Sequence, residues 1–170
     1  DKVGAADVQR VAQQYLALMA RRVSELRIPA PLLLMLSSGG LTHVQEARRV
    51  PVQMLESGPA AGAIAAAFFG RPDSSGNVLA FDMGGTTAKL SLVDGGEPLT
   101  AYSFEAARQR RFIEGSGLPI RISTIELIEI GAGGGSIAAV DEIGLLKVGP
   151  RSAGSYPGPA SYGLGGREPT

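Results

Sequence analysis

The chain has 170 residues, 44% of them hydrophobic and 19% charged, which is the balance of a folded domain with a sizeable core. Its 16 basic and 16 acidic residues cancel, so we expect it to bind neither nucleic acid nor an anionic membrane surface. The absence of cysteine excludes disulfides, thiol catalysis and thiolate metal sites, and it fits a cytoplasmic location. No apolar run approaches the ~20 residues of a membrane span. The start, Asp1 to Ala5, lacks an initiator methionine and does not resemble a signal peptide, so we expect an internal segment.

Residues 1–76 are predicted to be rich in helices. Apolar residues recur at three- and four-residue steps near the start, and a later alanine-rich stretch follows the helix-start pattern Ser57-Gly58-Pro59. Between them, the apolar run Leu32–Leu36 predicts a strand buried on both faces, within a sheet covered by helices. The predicted helices are Asp7–Leu26, Thr42–Ala47 and Ala60–Phe69, and residues 71–76 are predicted to form a polar turn.

Residues 77–150 are predicted to be rich in strands. Short apolar runs alternate with turns, among which Asp94–Gly96 has the composition of a hairpin turn. The segment Ile120–Ile130 favours a strand, although a helix over Ile122–Ile128 stays open. The other predicted strands are Val78–Phe81, Leu90–Val93 with its partner in Pro98–Phe104, Ile137–Val140 and Leu145–Val148. The basic residues 108–111 are predicted to lie in a solvated loop, and residues 151–170, rich in glycine and proline, to form an irregular tail.

A loop that reads Asp-Met-Gly-Gly-Thr-Thr begins at Asp82, at the carboxyl end of a predicted strand, where open α/β sheets bind ligands. Gly84 and Gly85 let the backbone turn closely, so that successive N–H groups and the hydroxyls of Thr86 and Thr87 can face phosphate oxygens. Asp82 suits Mg²⁺, held directly or through water, because this ion prefers hard oxygen ligands. The alternative is an ordinary hairpin turn, since a single glycine motif is weak and no Walker A lysine follows.

A second glycine-rich segment follows Ile130. Four of the next five residues are glycine, and Gly133, Gly134 and Gly135 lead into Ser136. The missing Cβ atoms allow adenine, ribose or phosphate to approach the backbone, whereas a flexible turn or a bulge is the structural alternative. The order is not Gly-x-Gly-x-x-Gly, which disfavours a nicotinamide site. Two such loops, each after a strand, predict one nucleotide held between two backbone walls.

These segments resemble the hydantoinase A family, which includes ATP-dependent hydantoinases, oxoprolinases and subunits of acetone-type carboxylases. The resemblance runs in family order over roughly Leu33 to Thr170. The matching stretches are Ser37–Leu41, Leu55–Gly62, Phe81–Lys89, Ile130–Ala138 and Val148–Gly163.

The resemblance implies an α/β fold, the second-lobe portion of an actin-like or sugar-kinase-like ATPase, with a mixed sheet and flanking helices. It implies ATP and Mg²⁺ as cofactors. Asp82 would be the catalytic, metal-holding residue, the loop Gly84–Thr87 would contact phosphates, and the turn Gly133–Ser136 would contact adenosine. Residues 1–170 would be part of an ATPase domain whose companion phosphate loop lies outside them, so we expect the isolated chain to be inactive.

The resemblance also implies a reaction, the phosphorylation of a cyclic amide such as hydantoin or 5-oxoproline, or of a ketone enolate oxygen. Hydrolysis or carboxylation would follow with a hydantoinase B-type companion subunit or a fused domain. Many hydantoinase-type members carry Asp-x-His before the glycine turn, but this chain has Glu126 and Ile128 there, which favours the carboxylase-like branch. Glu126 and Glu129 are either functional carboxylates or structural ones, and Lys89 is predicted to lie on the exposed face of a strand. A nucleotide-dependent interaction module without chemistry of its own is the alternative function.

Overall fold

The computed structural model describes residues 5–70, 76–106 and 115–170. Its first part contains helix α1 (Ala5–Glu25), strands β1 (Leu33–Met35) and β2 (Leu41–His43), helix α2 (Val44–Arg49), a 3-10 helix (Pro51–Met54) and helix α3 (Ser57–Gly70). The three predicted helices are therefore confirmed, although α2 begins at Val44 because Thr42 belongs to β2. None of the helices in the described part of the chain combines the length and the apolar character that crossing a membrane would require.

Strand β1 differs from its prediction. It is three residues long, pairs in antiparallel register with β2 alone, and leaves Leu33 exposed. Within the apolar run, Leu32 and Leu34 pack against a small core formed by Leu16, Val44 and Ala47 of α1 and α2. The strand is thus only partly buried, in a sheet of two strands, and its prediction as a strand fully buried on both faces is wrong.

The second part contains ten strands and a 3-10 helix (Ala160–Tyr162). The strands are β3 (Val78–Met83), β4 (Ala88–Asp94), β5 (Glu97–Pro98), β6 (Thr100–Ala101), β7 (Phe104–Ala106), β8 (Leu118–Ile120), β9 (Thr124–Ile125), β10 (Ile128–Ile130), β11 (Ser136–Val140) and β12 (Leu146–Ser152). The predicted hairpin around Asp94–Gly96 is confirmed as the β4–β5 connection. The segment Ile120–Ile130 forms parts of three short strands and no helix, and Pro98–Phe104 divides among three strands, of which only β5 pairs with β4.

The main sheet has the order β10-β4-β3, with β5 attached to β4, and every strand pair in the described ranges is antiparallel. The remaining strands form four two-stranded sheets. The predicted α/β class with flanking helices is therefore confirmed, with the strands divided among several small antiparallel sheets. The predictions for residues 71–75 and 108–111 lie outside the described residues.

Helix α3 lies against one face of the main sheet and determines where the candidate site can form. Its alanines Ala60 and Ala63 are buried together with Ile125 of β9, because a helix face without large side chains can approach a sheet closely. The opposite face of the sheet carries Leu79 and Phe81, which are both more than half exposed. The described residues thus cover only the α3 side, and Asp82 lies at the edge of that side.

Candidate functional site

The candidate phosphate loop connects β3 to β4. Asp82 is not part of this loop as predicted, because the β3–β4 ladder continues to the pair Met83–Ala88 and keeps Asp82 in the strand, directly opposite Lys89. The loop itself is closed by a hydrogen bond of 2.9 Å from the N–H of Gly84 to the carbonyl of Thr87. Asp82 and the glycines of the loop are exposed, so a ligand can reach them from solvent.

The second glycine segment packs directly on this loop. The N–H of Gly134 donates to the carbonyl of Gly84 at 2.9 Å, and that of Gly135 donates to the carbonyl of Gly85 at 2.8 Å. A Cβ on Gly133 would lie 2.6 Å from the backbone N and C of Thr86. A Cβ on Gly135 would lie 2.9 Å from the carbonyl oxygen of Gly85, so the contact between the two loops requires glycine at positions 133 and 135. The two segments touch and form one wall, and the placement of a nucleotide against it stays a prediction.

Ser136 completes the turn that holds this wall in place. Its hydroxyl accepts a hydrogen bond of 2.9 Å from the N–H of Gly133, and its own N–H donates to the carbonyl of Gly133 at 2.9 Å. The carbonyl of Gly135 accepts from the N–H of Ala153 at 2.8 Å. Gly133, Gly135 and Ser136 are buried, whereas Gly134 is exposed. Gly134 is thus the member of the predicted adenosine-contacting group that a ligand could touch directly.

The polar side of the main sheet carries a row of charges that begins at Asp82. Asp82, Lys89 and Glu129 lie directly opposite one another on β3, β4 and β10. Lys89 Nζ lies 3.0 Å from Glu129 Oε1 and 3.2 Å from Oε2 of Glu56, the residue before the first turn of α3. The Lys89 side chain is only 12% exposed. The prediction that it lies on an exposed strand face is therefore wrong, because β4 is the central strand and α3 covers this side.

The charge of Lys89 is stabilised by its partners. Burial lowers the pKa of Lys89, but the hydrogen bonds and negative charges of Glu129 and Glu56 outweigh this effect, so the pKa is raised above its ordinary value of 10.5. Glu129 thus pairs with Lys89. Glu126 is exposed, and among the described residues the contact shown for it is a hydrogen bond of 2.8 Å from its backbone N–H to the carbonyl of Leu99. Glu56 lies in the family-matching stretch Leu55–Gly62 but was not predicted as a partner of Lys89, which follows it by 33 residues.

A cavity of about 200 Å³ lies between α3 and the sheet. Asp82, Lys89 and Ser91 line its sheet side, and Pro59 and Gly62 line its helix side. A Cβ on Gly62 would meet Oδ2 of Asp82 at 3.6 Å, so the carboxylate lies at van der Waals distance from the helix. The cavity is large enough for a small polar group or several waters beside the carboxylate.

Asp82 has the properties of a carboxylate that holds Mg²⁺ through water. It is exposed, and within the described ranges it forms no ion pair. No group of three or more acidic or histidine side chains there is arranged to enclose an ion, which disfavours a cage built from protein ligands alone. Mg²⁺ commonly retains several waters and binds through one or two carboxylates plus phosphate oxygens. The donor set at Asp82 fits that mode, with the phosphates supplying the remaining oxygens.

Comparison with known proteins identifies the family. The profile described as hydantoinase/oxoprolinase matches residues 3–170. The chain belongs to the hydantoinase/oxoprolinase family. Caprolactamase subunit alpha from Pseudomonas jessenii is 40% identical over 134 residues, which cover 79% of this chain and 18% of that protein. The acetophenone carboxylase gamma subunit from Aromatoleum aromaticum is 41% identical over 114 residues, 66% of this chain and 14% of that protein.

Two solved structures have the same fold as this hydantoinase/oxoprolinase chain. The crystal structure of ATP-dependent caprolactamase from Pseudomonas jessenii matches with a TM-score of 0.61 at 34% identity, over 95% of this chain and 22% of that one. Nucleotide-free acetone carboxylase matches with a TM-score of 0.69 at 24% identity, over 94% and 21%. The fold and family predictions are confirmed. The chain spans between 14% and 22% of the length of these proteins.

Proposed function

We propose that this chain forms one wall of an ATP site in an enzyme that phosphorylates a carbonyl-derived oxygen of its substrate. The main support for the proposal is the hydrogen-bonded contact between the two glycine segments. This contact holds the loop of Gly84 and Gly85 next to the exposed carboxylate of Asp82. The family supports it, since the matched caprolactamase is described as ATP-dependent and the acetone carboxylase as acting by ATP-dependent carboxylation.

Each part of the wall has a distinct role in this proposal. The backbone of Gly84 and Gly85 and the hydroxyls of Thr86 and Thr87 hold the phosphates, because turns of this kind direct N–H donors toward an anion. Asp82 would position Mg²⁺ through water, and the ion would supply positive charge opposite the charge that develops on the transferring phosphoryl group. Gly134 contacts the adenosine.

The remaining members of the glycine turn do not touch the nucleotide but hold the residues that do. Gly133, Gly135 and Ser136 are buried, and they hold Gly134 and the phosphate loop in register. The residues that contact the nucleotide all lie in the segment 77–150. Residues 1–76 support them through α3, and residues 151–170 form the edge of the substrate side.

The chemistry is a phosphoryl transfer to oxygen. The amide oxygen of a cyclic amide, or the oxygen of a ketone enolate, attacks the γ-phosphorus, the bond to the β–γ bridging oxygen breaks, and ADP leaves. In a phosphorylated amide the carbon is a better electrophile for water and the phosphorylated oxygen a better leaving group, whereas in a phosphorylated enolate the α-carbon is the nucleophile that becomes carboxylated. A hydantoinase B-type companion subunit or a fused domain completes the reaction in the cytoplasm, in keeping with relatives named as subunits of larger enzymes.

The proposal is tested by Asp82→Ala in the full-length protein with its companion subunit. We expect substrate-dependent ATP hydrolysis to fall by on the order of 10²–10³, the usual effect of removing one group that stabilises transferring charge. Asp94→Ala is the matched control, since Asp94 lies at the far end of β4, is exposed and should leave turnover unchanged. Unchanged hydrolysis in Asp82→Ala would contradict the proposal. ATP binding without substrate-dependent hydrolysis in the wild type would favour an interaction module instead.

A further inference from the structure

A lysine enclosed by carboxylates lies beside the candidate phosphate loop, and the proposed reaction gives it no part. Lys89 Nζ lies 3.2 Å from Oε2 of Glu56 and 3.0 Å from Oε1 of Glu129. Lysine ammonium groups usually extend to water. This one is held on the covered side of the central strand, so it is a fixed positive charge.

The carboxylates around it come from separate elements. Glu56 precedes α3, Glu129 lies on β10, and Asp82 lies on β3 directly opposite Lys89. Within the described part of the chain, Lys89 is the cationic partner that both glutamates share, and neither forms another ion pair. One positive charge therefore offsets the repulsion among carboxylates that the fold brings to one side of the sheet.

The two glutamates offer the ligands of a divalent cation. Carboxylate oxygens are what Mg²⁺, Mn²⁺ and Ca²⁺ prefer, and oxygens of Glu56 and Glu129 lie within 3.3 Å of the same point in space. That point is the position of the ammonium. A small inward movement of either side chain would bring both carboxylates to coordination distance if the ammonium were absent.

We propose that Lys89 is a resident counter-cation, which occupies the cation position between Glu56 and Glu129 and excludes a divalent ion from it. An ion captured there would be bound by Glu56 and Glu129 and not by Asp82, which lies opposite Lys89 on β3. With that position filled, Asp82 is the open carboxylate on this side of the sheet. The exclusion of a divalent ion follows from the geometry of Lys89, Glu56 and Glu129 alone. That this leaves Asp82 as the carboxylate that binds the ion rests on the proposed function.

The test is Mn²⁺ binding by the full-length protein carrying Lys89→Ala, measured by electron paramagnetic resonance without nucleotide. We expect the variant to bind one more Mn²⁺ than the wild type, with a dissociation constant on the order of 0.1–1 mM, as at weak oxygen-ligand sites. The additional ion should be lost in Lys89→Ala/Glu129→Gln. Lys147→Ala is the matched control, because Lys147 pairs with Asp141 in an exposed hairpin, and it should bind no additional ion.

A folded Lys89→Ala variant that binds no additional Mn²⁺ would overturn the proposal, and circular dichroism establishes whether it is folded. Should Lys89→Ala not fold, Lys89→Ser is measured in its place, since its hydroxyl can hold water between the two glutamates. An additional ion that persists in the double variant would also overturn the proposal, because the ion would then lie elsewhere. The number of Mn²⁺ ions bound by Lys89→Ala is measured without ATP and without turnover. Its result is therefore independent of the ATP hydrolysis measured for Asp82→Ala.

Discussion

The contact between the two glycine segments predicts a large effect for Gly133→Ala. The new Cβ would lie 2.6 Å from backbone atoms of Thr86 and 2.7 Å from the carbonyl oxygen of Gly84, and no side-chain rotation can relieve a clash with backbone. The segments must separate by about 0.8 Å to reach an ordinary 3.4 Å contact. Such overpacking costs about 1–3 kcal/mol, and each weakened hydrogen bond at Gly134 or Gly135 adds about 0.5–1.5 kcal/mol.

The two terms sum to roughly 2–6 kcal/mol, and because the hydrogen bonds are weakened and not broken we expect the lower part, roughly 2–4 kcal/mol, as loss of amide protection. In hydrogen exchange of the full-length protein, we expect the N–H groups of Gly134 and Gly135 to exchange about 30-fold to 1000-fold faster in Gly133→Ala, with a higher KM for ATP. Gly134→Ala is the matched control for stability, because its Cβ would lie 3.8 Å from the carbonyl oxygen of Gly84, an ordinary contact. Equal protection in the two variants would refute the reasoning.

Two further predictions concern other parts of the chain. Gly39→Ala should destabilise the fold by about 1–3 kcal/mol in denaturant titration, because Gly39 has φ +83° and the Cβ would lie 3.1 Å from Ile64, whereas Gly40→Ala should be nearly neutral. Equal midpoints for the two would contradict this. The hydrogen bond from Lys147, followed by those from backbone N–H groups, lowers the pKa of Asp141 from its ordinary value of 3.8. A lowered pKa in the folded state means that the stabilisation is complete above pH about 4 and lost as the pH falls through the folded pKa. Hairpin amides should therefore exchange faster in acid in the wild type, while Asp141→Asn should exchange fast throughout; a wild-type hairpin insensitive to acid would contradict this.

The sequence was sufficient for elements that are defined by their own residues. Helix α1 was predicted as Asp7–Leu26 and is Ala5–Glu25, because its apolar residues repeat with the helical period over five turns. The strands Val78–Phe81 and Leu90–Val93 were predicted as short apolar runs and lie within β3 and β4, although the pairing of these two strands was not predicted. In these elements the local pattern and the tertiary packing favour the same conformation.

Elements that depend on distant partners were not predictable. The run Ile120–Ile130 contributes to β8, β9 and β10, which pair with β7, β6 and β4 respectively. The eleven residues of this segment do not indicate which strand pairs with each part, because the partner residues lie 16 to 42 positions earlier in the chain. The partial burial of Leu34 in β1 likewise depends on residues of α1 and α2.

The candidate site divides in the same way. Both glycine segments were identified from the sequence, but their direct contact was not. The contact is made by backbone hydrogen bonds such as that from Gly134 to Gly84, and these do not depend on side chains that a sequence pattern would show. The burial of Lys89 was also missed. It results from α3 covering the sheet and from Glu56, which follows from the tertiary arrangement and not from the strand pattern.

The most direct test of the central claim is a crystal structure of the full-length protein with a non-hydrolysable ATP analogue and Mn²⁺, whose anomalous scattering locates the ion. The account predicts an ion near Asp82, about 2 Å from its carboxylate or one water farther away, with the phosphates against the loop of Gly84 and Gly85. Phosphates bound away from this loop, or an ion held between Glu56 and Glu129 in the presence of Lys89, would contradict it.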